Sequence, residues 1–353
     1  QTLVASVLVY WFLGIATTCG FVQTSVPRRT RTTTNTPRAA SDDRIPLKRG
    51  SSVAIITPMT ESGDVDVESL NRLLDFHLDQ GTDNLCLLGT TGEASLLSME
   101  ERKLVLDTAV KKVKGKIPLM VGTGTINPSA VKAMTLQAME CGADASLVVT
   151  PYYLKPPQRG LVQHYTSMAD LGLPVIIYNV PGRTRVDMTD ESIAQAAQHP
   201  NIVGLKDATG DVSRVVSLKT LLGDEDKDLL LFSGDDQTTL DFLQAGGDGC
   251  ISVTANLAPK LMHEMVTAAH ASDFEESTRI NGMLDPLHKN LFLESNPIPV
   301  KWALYRMGKI ASPYCRPPLD ALRDLSIQQQ LVDDMKQTNL LEEEEEEKSA
   351  DSS

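Results

Sequence analysis

The 353-residue chain is 41% hydrophobic and 22% charged, enough apolar material for one large or two medium domains. Its formal charge of −13 is unevenly spread: residues 1–49 carry seven Lys/Arg against two Asp (+5), residues 342–353 carry −6, and the body between them holds −12, which excludes nucleic-acid binding because nothing offsets phosphate repulsion. Five scattered cysteines without CxxC spacing exclude a disulfide framework, six histidines form no HExxH or ligand cluster, and neither a P-loop nor GxGxxG is present, so no metal and no cofactor is expected.

The N-terminus is not fold material. Residues 2–26 are uncharged, with an apolar centre at 4–15 and small residues at 16–20. Phe21 and a Ser/Thr/Arg-rich, nearly acid-free stretch to Ala40 follow. The first part reads as a signal-peptide core and the second as a transit peptide. Together they resemble the two-part presequences of algae with secondary plastids, which implies a plastid (chloroplast) location. A single membrane anchor is the other reading of the apolar run. The mature protein is expected to begin between 21 and 49, with 1–48 a disordered presequence. No membrane association is expected of the mature protein.

From Ser51 onward, strand-like and helix-like segments alternate. Apolar runs predict strands at 53–57, 84–88, 118–122, 145–150, 174–178, 202–205, 228–232 and 249–253. Helical periodicity falls between them, at 66–79, 99–114, 128–141, 160–171, 190–199, 212–222 and 237–245. Ser98 with Glu101 three residues on makes a capping box. Eight buried strands with crossover helices indicate a parallel sheet, and eight units in so short a span predict a closed (β/α)8 barrel, a TIM barrel of the α/β class. Helical patterns at 257–271, 274–294, 298–307 and 318–338 complete the eighth unit and add a C-terminal helical domain. The expected organisation is a barrel over 49–270, helices over 271–338 and an acidic disordered tail over 339–353.

In this fold, function sits where strands end. The unusual runs fall there: Gly89-Thr90-Thr91-Gly92-Glu93 after strand two, Gly122-Thr123-Gly124 after strand three, Tyr152-Tyr153 after strand four, and Tyr178 through Arg183 on strand five and its loop. The sixth strand delivers Lys206. From the run 201–210 alone, a surface lysine paired with an acid is the commoner outcome. Buried at a barrel mouth, the same lysine is costly as a cation, its pKa should fall, and its amine can form a Schiff base with a carbonyl. Glycines, hydroxyls, phenols and one arginine around it suit a small carbonyl compound bearing a carboxylate.

Gly89-Thr90-Thr91-Gly92-Glu93, Thr150-Pro151-Tyr152-Tyr153, Tyr178-Asn179-Val180-Pro181, Gly204-Leu205-Lys206-Asp207 and Asn296-Pro297-Ile298-Pro299-Val300-Lys301-Trp302 resemble, in order and at matching spacing, the dihydrodipicolinate synthase family. The resemblance covers 49–331. It implies a condensation of pyruvate with L-aspartate-4-semialdehyde on the route to diaminopimelate and lysine. Lys206 would form the imine with pyruvate and Tyr178 would relay protons. Thr90 and Tyr153 would complete a hydroxyl network, the tyrosine reaching in from a neighbouring subunit. Thr91 and the Gly89 loop would hold the pyruvate carboxylate. Arg183 would bind the second substrate, and Ile251 would offer its carbonyl near the nucleophile. The rivals are another pyruvate-dependent aldolase acting on a hydroxy-keto acid or sugar acid, and a barrel that has lost catalysis and serves as a binding protein.

Glu93 is expected to be structural, and Asp207 bonded to solvent or loop. Ile126 and Ala130, with Met99 and Arg102, stand where lysine-inhibited members of the family carry an Asn, a Glu and polar or aromatic residues. Weak or absent feedback by lysine is therefore expected. A homodimer or homotetramer is implied by the need for Tyr153 in trans.

Overall fold

The computed structural model describes residues 44–223 and 229–341. The expected presequence therefore lies outside the described residues up to 43, and the acidic tail from 342. The chain already packs ahead of 49: Ile45 N donates to Asp144 at 2.7 Å and Lys48 N to Asn84 at 2.9 Å.

Eight strands close a parallel barrel in chain order: β1 (Gly50–Ala54), β2 (Asn84–Leu87), β3 (Leu119–Gly122), β4 (Ala145–Val149), β5 (Val175–Asn179), β6 (Ile202–Asp207), β7 (Leu230–Ser233) and β8 (Gly249–Ser252). β1 starts three residues before its expected position. Gly50 and Gly249 pair there, and a Cβ on Gly249 would stand 2.0 Å from Gly50 O, so only glycine lets these strands meet. Ile55–Thr57, expected as strand, continue extended and buried, with Ile56 N donating to the Asn256 side chain. The expected start of strand seven, 228, lies outside the described residues.

The helices between strands are α1 (Val67–Asp79), α2 (Met99–Val113), α3 (Pro128–Cys141), α4 (Gln158–Ala169), α5 (Pro181–Thr184), α6 (Asp190–Ala196), α7 (Ser213–Leu222) and α8 (Thr239–Gln244). Ser98 and Glu101 form the capping box foreseen from sequence. The one-turn α5 was not foreseen. Beyond β8 come α9 (Pro259–His270), α10 (Phe274–Asn290), α11 (Ile298–Arg306) and α12 (Leu325–Gln337). The last begins seven residues later than its expected start. Pro317 and Pro318 stop helical pairing ahead of it, and Asp324 caps it by accepting from Ser326 N and Ile327 N.

Three apolar layers position the site. Ala54, Cys86, Met120, Tyr178, Phe232 and Ile251 fill the barrel interior. Alternate strand residues such as Leu205 and Leu231 point outward against α4, α6 and α7. On the other side, Leu284, Val300, Leu304, Leu331 and Met335 share one apolar cluster with Leu70 and Val105. The C-terminal helices are thus continuous with the packing of α1 and α2. No described helix is long and apolar enough to cross a membrane.

Candidate active site

β6 runs one residue past Lys206, so the lysine stands within the ladder, opposite Tyr178 on β5 and Phe232 on β7. Leu205 faces the helices, and the alternation turns Lys206 into the barrel, where it is 5% exposed. Its Nζ lies 4.6 Å from the centre of the Tyr178 ring. Burial pushes the thiol of neighbouring Cys86 up to about 11, with the Lys206 charge pulling the other way, so Cys86 stays a neutral part of the wall.

Above the lysine is a cavity of about 170 Å³ lined by Lys206, Tyr178, Thr90, Thr91, Arg183 and Asn296, among others. A second cavity of about 220 Å³ shares Gly89, Thr90, Tyr178 and Arg183 and extends toward Tyr152. The structure thus brings Lys206, Tyr178, Thr90, Thr91, Gly89 and Arg183 together at the C-terminal ends of the strands.

The loop after β2 supplies the hydroxyls. Thr91 is 2% exposed and accepts a 2.9 Å hydrogen bond from Asn296 Nδ2, whereas Thr90 stands exposed at the rim. Gly89 lines both cavities, yet a Cβ there would meet Cys86 Sγ at an ordinary 3.8 Å. The tight position is Gly92, where a Cβ would come within 3.1 Å of Leu88 N. Glu93, expected to be structural, is fully buried against Lys301 of α11 and also accepts from Arg316 N at 2.9 Å.

Arg183 is carried by α5, exposed and facing both cavities. Tyr152 lines the second cavity with its hydroxyl 3.3 Å from Thr125 Oγ1. Tyr153 does not join the site within this chain: it is 85% exposed, with a φ of 68° that turns it away. Ile251 is buried in the barrel interior on β8, paired with Ser52, and lines neither cavity.

Of the two expected settings, solvent or loop, Asp207 takes the loop, with an ion pair added. It accepts from Thr209 N, as a loop-bonded acid should, but it is buried rather than solvated, with Arg214 Nε 2.9 Å away. Burial pushes its carboxyl up and Arg214 opposes this. Arg214 also pairs with Asp187 and Asp190, so one guanidinium ties the end of β6 to the loop after α5.

Sequence reasoning assigned no role to Asn296, and read Gly234 only as one of the strand-end glycines that let an anionic substrate approach the backbone. Asn296 reaches Thr91 across 205 residues of chain. Its only signal was its place in the run 296–302. A Cβ on Gly234 would lie 2.8 Å from Lys206 Cε, so that glycine makes room for the lysine.

A closed eight-stranded barrel with a buried lysine beneath a cavity at its C-terminal mouth defines the class: a (β/α)8 barrel with its pocket where enzymes of this fold carry their active sites. The chain belongs to the dihydrodipicolinate synthetase family, whose family model matches residues 47–338. It is 46% identical over 295 residues to the 4-hydroxy-tetrahydrodipicolinate synthase of Alcanivorax borkumensis, covering 83% of this chain and 99% of that one. Among solved structures it resembles the chloride-inhibited dihydrodipicolinate synthase of Acinetobacter baumannii complexed with pyruvate (TM-score 0.80, 45% identity, 83% of this chain and 99% of that one). It also resembles the DHDPS of Cyanidioschyzon merolae with lysine bound (TM-score 0.78, 32% identity, 83% and 99% coverage).

Proposed function

We propose that this protein is a lyase that condenses pyruvate with L-aspartate-4-semialdehyde, the reaction of 4-hydroxy-tetrahydrodipicolinate synthases, in lysine and diaminopimelate biosynthesis. The observation that carries the reading is the buried Lys206 amine beneath a cavity shared with Tyr178, Thr91 and Arg183. The Lys206 amine attacks the keto carbon of pyruvate, and loss of water leaves an imine. Loss of a methyl proton then gives an enamine, whose carbon bonds to the aldehyde carbon of the second substrate. Tyr178, opposite the lysine, is placed to carry the protons of these steps. Thr91 holds the pyruvate carboxylate, and Arg183 at the rim takes the carboxylate of the semialdehyde. Incubation with pyruvate followed by borohydride should leave a reduced adduct on Lys206. No adduct on this residue overturns the reading.

Three further readings rest on composition and surface. Tyr153 and its neighbour Leu154 are both strongly exposed, which supports at least a homodimer in which Tyr153 completes a partner's hydroxyl network. Ile126 and Ala130 offer no acid to a cationic amino acid, and buried Arg102 adds a guanidinium that donates to Gly122 O, so feedback by lysine is weak or absent. The charge-free, then arginine-rich N-terminus supports plastid targeting, with 271–338 forming a C-terminal helical domain of the mature enzyme. A fluorescent fusion to 1–48 that stays in the cytosol would remove the targeting reading.

A further inference from the structure

The run 296–302 is part of the family resemblance, but the reaction above leaves it without a task. It touches the loop after β2 at two points. Asn296 Nδ2 donates to Thr91 Oγ1 at 2.9 Å, and five residues on Lys301 Nζ donates to Glu93. Both contacts are out of water: Asn296 is 6% exposed, and the side chains of Lys301 and Glu93 are 0% exposed. Lys301 is steadied by a 2.8 Å bond to Tyr314 O and Glu93 by Arg316 N, so the second contact is fixed from both sides.

The loop needs such bracing. Leu88 and Glu93 both have left-handed backbones, with φ of 55° and 52°, a conformation unfavourable for residues with a Cβ. Thr91 lies between them. A threonine hydroxyl has one hydrogen to give. Were Thr91 to donate to a neighbour, nothing would remain for an anion. Because its oxygen accepts from the Asn296 amide, its hydrogen is left for the cavity that both residues line. Nδ2 is the amide atom that stands 2.9 Å from Thr91 Oγ1, and the asparagine's own Oδ1 is buried without a hydrogen bond.

We infer that Asn296 is a positioning residue: it aims the Thr91 hydroxyl at the carboxylate of the first substrate, while the Glu93–Lys301 pair holds the loop in place for it. The inference rests on the proposed reaction. Asn296 acts on the first substrate through Thr91.

That dependence is testable with a cycle of three full-length variants, Thr91→Val, Asn296→Ala and the double change, assayed by borohydride trapping of pyruvate on Lys206. Hydrogen bonds to charged groups set the scale. Asn296→Ala should raise half-saturating pyruvate roughly 10- to 100-fold, with the KM for the aldehyde within about threefold and the thermal midpoint nearly unchanged. On the Thr91→Val background the same change should cost less than about twofold, because the group it acts through is gone. Asn296→Asp, which turns the donor into an acceptor, should be at least as poor as Asn296→Ala. Equal losses on both backgrounds overturn the inference, as does wild-type pyruvate saturation in Asn296→Ala. A parallel rise in both substrates' KM with a fall in the thermal midpoint also overturns it. Absence of any adduct in the wild-type protein removes the proposed reaction and this inference together.

Discussion

Gly234 and Lys206 share one space. A Cβ at 234 would stand 2.8 Å from Lys206 Cε and 3.0 Å from its Cγ, so the lysine can extend to the cavity only because β7 is followed by a residue without a side chain. Two of the three nearest atoms belong to the flexible lysine and the third is Ala208 Cβ at 3.0 Å, so Gly234→Ala should displace the amine with a small shift of the strand end. The expected outcome is a pyruvate adduct formed at least about tenfold more slowly, with a thermal midpoint within a few degrees of wild type. Stopped trapping reactions measure the first, and calorimetry measures the second.

Arg183 is exposed on α5 and reaches the cavity from the rim. Its removal should spare the imine and weaken the second substrate. Arg183→Ala is expected to raise the KM for the aldehyde roughly 10- to 150-fold, the worth of a charged hydrogen bond, with pyruvate trapping changed little. Equal losses for both substrates would place the arginine on pyruvate instead.

The Glu93–Lys301 pair has no access to water. Lys301→Met leaves a buried carboxylate without its cation and should cost about 3–5 kcal/mol of stability. Adding Glu93→Gln removes the orphaned charge and should recover most of that loss in denaturant melts. A double variant no more stable than the single one would show that packing, not charge, sets the cost.

Acid should unfold the protein partly through His77. The imidazole is buried, its Nδ1 2.9 Å from Thr82 Oγ1, and burial pushes it down to about 3, below its ordinary value near 6.5. The unfolded chain therefore takes up a proton below about 6.5 that the folded chain refuses until about 3. Stability is full above that window and falls through it, by at most about 1.4 kcal/mol per pH unit for one proton. His77→Gln should flatten that part of the stability profile between pH 6 and 4.

Lysine should not regulate this protein. On the reading proposed above, with Ile126 and Ala130 offering no acid and Arg102 buried beside Gly122, lysine at about 1 mM is expected to leave the rate nearly unchanged. Inhibition at sub-millimolar lysine in a purified-enzyme assay would sink the idea.

The barrel was legible because its strands are short apolar runs buried on both faces, and because glycines and capping residues punctuate them. The run around Lys206 alone favoured a surface lysine; its burial became legible only once the eight-strand rhythm placed it at a barrel mouth. What escaped reading depends on partners far away in sequence. Asn296 has no periodicity of its own, and its contact with Thr91 exists only once the C-terminal helices are packed. The loop bond of Asp207 was among the expected settings, but its ion pair was not, because Arg214 sits on the next helix, whose rotation the sequence does not state. The late start of α12 followed from two prolines and a capping aspartate inside a pattern that otherwise looked helical.

The apolar cluster that joins α10, α11 and α12 to α1 and α2 also sets a clock. Asn296 and Lys301 bond to residues 205 and 208 positions earlier, and Arg316 reaches back 253 to Gly63 O. During synthesis, β2 and its loop leave the ribosome long before the segment that braces them. Pairings this distant in sequence are slow to form. A chain interrupted between residues 207 and 295 would carry the lysine, the tyrosine and both threonines, yet hold them around a loop with neither brace. Catalytic competence is thus acquired near the end of translation, and truncated products of this protein would compete for its chaperones without contributing turnover.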